Sequence, residues 1–200
     1  MSPQAKETGT DSPQRPRVEG EREQEILDAT LAILAEVGYD LLTMDKVAAA
    51  ARASKATLYR RWKGKPELVI EALLAHKGEH PAPDTGTLRG DLIASFCGAG
   101  GMTDPQQMAI MGSLITAISR DADFAEVFRR DFIGPKAART LQLFERARDR
   151  GEIDEDVDLE IVIPALPGIL LHRQFLLGEE PTDDVITRVV DQVILPAVTR

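Results

Sequence analysis

From residue 19 onward, apolar side chains recur three and four positions apart, and no stretch of useful length alternates apolar with polar. That periodicity suits helices with one buried stripe and leaves no material for a sheet, so the chain is expected to be all-α. Ile26, Ala29, Ile33, Leu34 and Val37 mark the first such stripe, on a helix over 19–37 that Gly38 ends as a left-handed cap. Thr43 is placed to cap a short helix over 44–50, with Asp45 near its positive end. Ser54 caps another over 55–62, and Lys65-Pro66-Glu67 opens a fourth, with proline in the first turn where its missing N–H does no harm. The run His80-Pro-Ala-Pro-Asp-Thr-Gly-Thr87 is turn-rich and marks a boundary. Beyond it helices are expected near 88–99, 105–120, 124–133, 135–150, 159–177 and 182–198, with Gly134-Pro135 either separating two of them or kinking one.

The expected organisation is therefore a disordered arm over 1–18, polar and carrying Pro3, Pro13 and Pro16, then a three-helix unit over 19–64. A connecting helix over 65–80 leads into a C-terminal helical domain over 81–200. Arg15 and Arg17 of the arm are candidates for reaching a DNA groove, with a solvated tail as the alternative.

The formal net charge of −9 argues against a nucleic-acid partner until its distribution is considered. From Lys46 to Pro66 there are seven basic residues and no Asp or Glu. Residues 1–80 carry 12 basic and 13 acidic groups against 12 and 20 over 81–200, so the acidic excess is C-terminal. No run approaches the roughly 20 uncharged apolar residues of a membrane span, and a soluble, cytoplasmic protein without a membrane partner is expected. The only cysteine, Cys97, supports neither a disulfide nor a thiolate zinc site. No HExxH, GxxxxGK or GxSxG pattern is present, and Gly98-Ala99-Gly100-Gly101 follows no strand. No metal, cofactor or enzymatic activity is expected.

Two short helices flanking a tight turn have the size of a helix-turn-helix, whose second helix fits a major groove. Leu58 and Trp62, four residues apart, are expected to pack inward with Val47, Ala48 and Ala51, leaving Lys55, Ala56, Tyr59 and Arg60 outside. The stretch from Thr43 to Leu68, TMDKVAAAARASKATLYRRWKGKPEL, resembles the helix-turn-helix signature of the TetR (tetracycline-repressor) family. The resemblance covers about residues 20–75; beyond it only helix order and the turn Arg150-Gly151-Glu152-Ile153 are similar.

This resemblance implies roles by position. Thr43 and Lys46 would contact the phosphate backbone. Ser54 would cap the recognition helix carrying Lys55, Ala56, Thr57, Tyr59 and Arg60, with Lys55 and Arg60 donating to guanine edges and the Ala56 methyl meeting a thymine methyl. Tyr59 would bond a phosphate, and Lys65 would grip the backbone again. The chain departs from the family at the turn, where Arg52 replaces the usual glycine and Ala53 a larger apolar residue. Holding a non-glycine residue at positive φ costs on the order of 1 kcal/mol, so the turn is either strained or differently shaped.

Half-sites about 34–36 Å apart would match two such helices in a homodimer. The most apolar helices, 159–177 and 182–198, are the expected interface, with Ile163, Leu166, Leu170, Val189 and Val193 as candidate contacts. Phe96, Met108, Met111, Ile115, Phe128, Phe132, Phe144, His172 and Phe175 are candidates to line a cavity for a small apolar or amphipathic effector. The resemblance thus implies a ligand-responsive regulator, most simply a repressor, that binds a (pseudo)palindromic double-stranded operator as a dimer and is released by the effector. A DNA-binding dimer without small-molecule control is the alternative.

Overall fold

The computed structural model describes residues 19–77, 81–97 and 101–199, and among these it contains helices and no strand. The N-terminal arm and most of the Gly98–Gly101 loop lie outside the described residues. Helix α1 (Glu19–Leu41) runs past the expected end: Gly38, at φ 75° and ψ 174°, interrupts it, and one more turn carries Tyr39 back into the interior. The helices α2 (Met44–Ala50), α3 (Lys55–Arg61) and α4 (Lys65–Lys77) follow as read from the caps and proline.

Helix α5 (Leu88–Phe96) stops three residues short of the expected end, and α6 (Pro105–Arg120) matches it. At Gly134-Pro135 the chain neither stops nor breaks. Helix α7 (Ala122–Val127) continues through a wide π-turn, Phe128–Ile133, into α8 (Gly134–Asp149). The reason is the proline, which offers no N–H and would crowd the carbonyl four residues back. Bonding Gly134 N–H to the Arg129 carbonyl, five residues back, widens the turn ahead of the ring. The same device precedes Pro196, where Leu195 N–H reaches the Val190 carbonyl between α11 (Asp183–Val189) and α12 (Leu195–Val198). The intervening apolar run forms α9 (Leu159–Val162) and α10 (Ala165–His172), separated at Ile163-Pro164, and closes in a π-turn at Arg173–Leu177.

Packing divides the molecule into two cores, and the division does not follow the expected boundary at residue 80. The first core joins Leu34, Leu42, Val47, Leu58, Trp62 and Leu68 to Ile110 and Leu114 of α6 and to Phe124, Phe128 and Phe132. The second gathers Leu88 and Leu92 of α5, Leu143 and Phe144 of α8, Leu166 and Leu170 of α10, and Ile186, Val190 and Ile194. A buried carboxylate fastens the segment before α5 to this second core. Asp91 Oδ1 accepts from Thr85 N at 2.6 Å and Thr85 Oγ1 at 2.8 Å, while Arg146 and Arg150 approach Oδ2 to 3.8 and 3.6 Å. Arg146 also donates to the Pro83 carbonyl.

Two sets of expected contacts are corrected by these cores. The nine cavity candidates do not converge: Phe128 and Phe132 are buried, and Met111 half-buried, in the first core, whereas Phe144 and Phe96 belong to the second. Met108 is buried, Ile115 is exposed, His172 lies on the surface, and the Phe175 ring rests against Gly112. Bulk and polarizability mark a residue for the interior without saying which interior.

Of the five interface candidates, Leu166, Leu170 and Val189 are buried within the protomer. Ile163 is half-buried and Val193 exposed. The uncovered apolar side chains of the same helices are instead Ile161, Leu176 and Leu177. By length and composition the run Leu159–Leu177 would suffice to cross a bilayer, at a mean hydropathy of 1.3. Its break at Ile163-Pro164 and the burial of Leu159, Leu166 and Leu170 give it one face inside the protein's own core.

Candidate nucleic-acid interface

The site begins with two capped helices. Thr43 Oγ1 accepts from Lys46 N at 3.2 Å and fixes the first turn of α2; Ser54 Oγ accepts from Thr57 N at 3.0 Å and does the same for α3. In each, a hydroxyl stands in extended backbone and takes one of the N–H groups that an opening helix leaves unpaired. Leu58 and Trp62 are buried against Val47, Ala48 and Ala51, which locks the roll of α3. Ser54, Lys55, Ala56, Tyr59 and Arg60 are thereby exposed together, with Thr57 half-buried and Thr43 and Lys46 exposed on α2.

The turn between them resolves the question of Arg52. Its φ is +51°, so it does occupy the left-handed position that glycine favours. Arg52 N–H bonds the Ala49 carbonyl at 3.1 Å and Ala53 N–H the Ala48 carbonyl at 2.8 Å, a Schellman closure of α2. Arg22 of α1 donates to the Arg52 carbonyl. Replacing Arg52 with glycine keeps every one of these backbone bonds and removes the Cβ strain, while adding some unfolded-chain entropy. Arg52→Gly is expected to raise unfolding free energy by about 0.5–1 kcal/mol in urea denaturation. A destabilised variant would show that the arginine side chain contributes more than its backbone costs.

The cations divide by what already holds them. Lys55 Nζ lies 2.6 Å from Asp45 Oδ2, a pair more than half exposed on both sides. Such a pair is worth ~0.2–1 kcal/mol, so an approaching phosphate or base edge displaces it at small cost. Lys46 Nζ donates to the Leu41 carbonyl at 2.9 Å, leaving its other protons outward. Lys65 is different: its Nζ donates to the Tyr39 carbonyl at 3.1 Å and lies 3.9 Å from the Tyr39 ring centroid. Burial pushes this ammonium below the usual lysine range, an effect that the Asp121 and Asp40 charges oppose. Lys65 therefore braces the end of α1, where a phosphate contact was expected. Among the described residues Arg60 is held by no hydrogen bond or ion pair within the protein, and its five donors are free for a base edge.

Trp62 was expected inward, but its partners behind this surface were passed over. Arg61, Trp62, Glu71 and Glu23 bond to one another at the junction of α3, α4 and α1. Tyr39 OH donates to Asp121 Oδ2 at 3.3 Å, and Asp121 Oδ1 also caps α7 by accepting from Phe124 N at 2.9 Å. The only signals were an acid at each position and a tyrosine one residue after a helix-ending glycine.

Comparison with known proteins agrees with the geometry. Residues 26–72 match the family model for bacterial regulatory proteins of the tetR family, and residues 82–193 match that for the tetracyclin repressor-like C-terminal domain. The chain is 38% identical over 194 residues to an uncharacterized HTH-type transcriptional regulator of Mycobacterium tuberculosis, covering 95% of this chain and 94% of that protein. It is 38% identical over 181 residues to the DNA-binding transcriptional repressor TetR of Mycobacteroides abscessus, covering 87% and 92%. Among solved structures, the TetR family transcription regulator SCO0332 superposes with a TM-score of 0.62 at 27% identity, over 90% of this chain and all of that one.

Proposed function

The chain belongs to the TetR family of bacterial regulatory proteins, and on that premise we propose that it represses transcription as a cytoplasmic homodimer on a (pseudo)palindromic operator. Helix α3 enters the major groove with Lys55, Ala56 and Arg60 toward the bases, while Tyr59, Thr43 and Lys46 meet the backbone. The observation that carries this reading is the outward face of α3, fixed by the buried Leu58 and Trp62 and ending in the unengaged Arg60. A small apolar or amphipathic molecule entering the C-terminal domain lowers operator affinity, because it binds the DNA-incompetent arrangement more tightly.

Selection of the full-length protein against random-sequence DNA tests it. Enrichment of two inverted half-sites centred about 10 base pairs apart, or a multiple of that, is expected; no enriched sequence would overturn the reading. On the selected site, Arg60→Ala is expected to cost about 1–3 kcal/mol and relax preference at one or two base pairs. Lys46→Ala should instead weaken all sequences alike and reduce the salt slope by about one. Equal, sequence-independent losses for both would remove Arg60 from base readout.

One observation favours regulation without an effector: of the aromatic candidates for a cavity, Phe128 and Phe132 are spent on one core and Phe144 on the other. Thermal-shift screening against lipophilic drugs and acyl thioesters separates the two readings. A compound that stabilises the protein and releases operator supports effector control, and its absence supports a dimer without it.

A further inference from the structure

We propose that Glu71 is a positioning residue for operator recognition, the side chain through which α4 sets the orientation of α3. The inference rests on α3 being the recognition helix, and it starts from where that helix ends. Arg61, its last residue, and Trp62, which caps it, turn away from the DNA face toward α4 and α1. Trp62 Nε1 donates to Glu71 Oε2 at 2.7 Å, and Arg61 Nη2 donates to Glu71 Oε1 at 2.6 Å. One carboxylate on α4 thus holds both residues at the C-terminal end of α3. Arg61 Nη2 continues to Glu23 Oε1 at 3.1 Å, which brings α1 into the same cluster.

The two bonds differ in weight. Arg61 is half exposed, and exposed ion pairs contribute little. The indole belongs to the buried core, and its N–H has a single donor with nowhere else to turn. Losing the acceptor leaves that donor unpaired in the interior, so the ring must tilt or admit water, and α3 tilts with it. Burial, reinforced by the nearby Glu23, pushes the Glu71 carboxyl above the ordinary range, while Trp62 and Arg61 oppose that shift. A group purely for solubility would not be set in such surroundings. Helix α4 is also the element that packs on α7 and on the π-turn at Phe128–Ile133, so Glu71 joins the recognition helix to the part of the protein beyond residue 80.

The test compares full-length wild type, Glu71→Ala and Glu71→Gln for binding to the selected operator and to a scrambled duplex at the same salt. Removing an acid near DNA strengthens or leaves unchanged the binding to scrambled sequence, since that term is electrostatic. The expected result is a loss of about tenfold in the operator-to-scrambled ratio for Glu71→Ala. Recovery to within about threefold of wild type is expected for Glu71→Gln, which keeps an oxygen for the indole N–H. Trp62 is the only tryptophan, so its emission reports the junction directly. It should shift in Glu71→Ala and stay near wild type in Glu71→Gln. A ratio within twofold of wild type for a folded Glu71→Ala would overturn the proposal. If Glu71→Ala does not fold, Trp62→Phe, which removes only the donor, should lose about threefold in the same ratio, and no loss would overturn it. Wild-type protein that selects no operator would remove the recognition helix itself, a failure distinct from an operator bound equally well without Glu71.

Discussion

In the homodimer proposed above, Leu176→Glu is expected to halve the mass seen by light scattering, from twice the 21.9 kDa chain to once, and to cost operator binding at least about a hundredfold. Leu176 is 74% exposed on one protomer, and Ile161 at 71%, Leu177 at 54% and Val193 at 43% are exposed on the same C-terminal helices. Covering a leucine that is otherwise in water contributes about 1.5–3 kcal/mol, so these side chains favour an interface that covers them. Closing an apolar interface over the new carboxylate would take it out of water, at a cost of several kcal/mol per ion. The loss of DNA binding follows from the loss of the second half-site, since linked half-sites gain ~10²–10⁴ in avidity without any new contact. Leu74→Glu, on the half-exposed side of α4, should leave the mass unchanged and serves as control. A Leu176→Glu protein that stays dimeric would move the interface elsewhere.

The local shape of the helix-turn-helix is legible in the sequence and the outer face of the C-terminal helices is not, and the difference comes down to the range of the interactions. The caps at Thr43 and Ser54 and the strained Arg52 are set by neighbours within five residues, and the inward Leu58 and Trp62 by a helix only one tight turn away, so the pattern of residues contains them. Helix 159–177 is apolar around most of its circumference, and periodicity cannot say which stripe faces its own core. Leu166 and Leu170 turned inward and Ile161 and Leu176 were left outside by the packing of α10 on α11, a tertiary choice. Phe128 and Phe132 look like cavity material in a linear reading. Their π-turn lies against α4, and they close the core of the DNA-binding end instead. Lys65 was read as a phosphate contact from its place at a helix start, and the ring that captures it is 26 residues away. Asp121 is marked locally only as the cap of α7, and Glu71 not at all; the bonds to Tyr39 and to Trp62 arise only when another helix arrives.

Tyr39→Ala should cost about 3–5 kcal/mol of unfolding free energy, a large share of the ~5–15 kcal/mol typical of a folded domain. Its ring is buried between the two ends of the molecule, 4.1 Å from the Phe124 centroid on one side and 3.9 Å from Lys65 Nζ on the other. Phe124, Phe128 and Phe132 continue the stack along α7 and the π-turn to Lys136, whose Nζ lies 3.5 Å from the Phe132 centroid. Truncating Tyr39 therefore opens a void at the end of a row of rings, deprives Lys65 of its aromatic face and leaves Asp121 with its capping bond alone. Tyr39→Phe separates the ring from the hydroxyl. It should cost only about 0.5–1.5 kcal/mol, because the bond to Asp121 is long at 3.3 Å and the packing is untouched. A pH series distinguishes the two contributions further. Burial first, and then the Asp121 charge, push the phenol well above the ordinary tyrosine value of 10.0, so the folded state keeps this proton where the unfolded chain releases it. The stabilisation is complete below about pH 10 and declines as pH rises beyond it, since a raised folded-state value is lost on the alkaline side. Wild type should therefore lose Tm above pH 10 more steeply than Tyr39→Phe. Parallel alkaline limbs would mean that the hydroxyl is solvated in solution and that the ring alone joins the two halves.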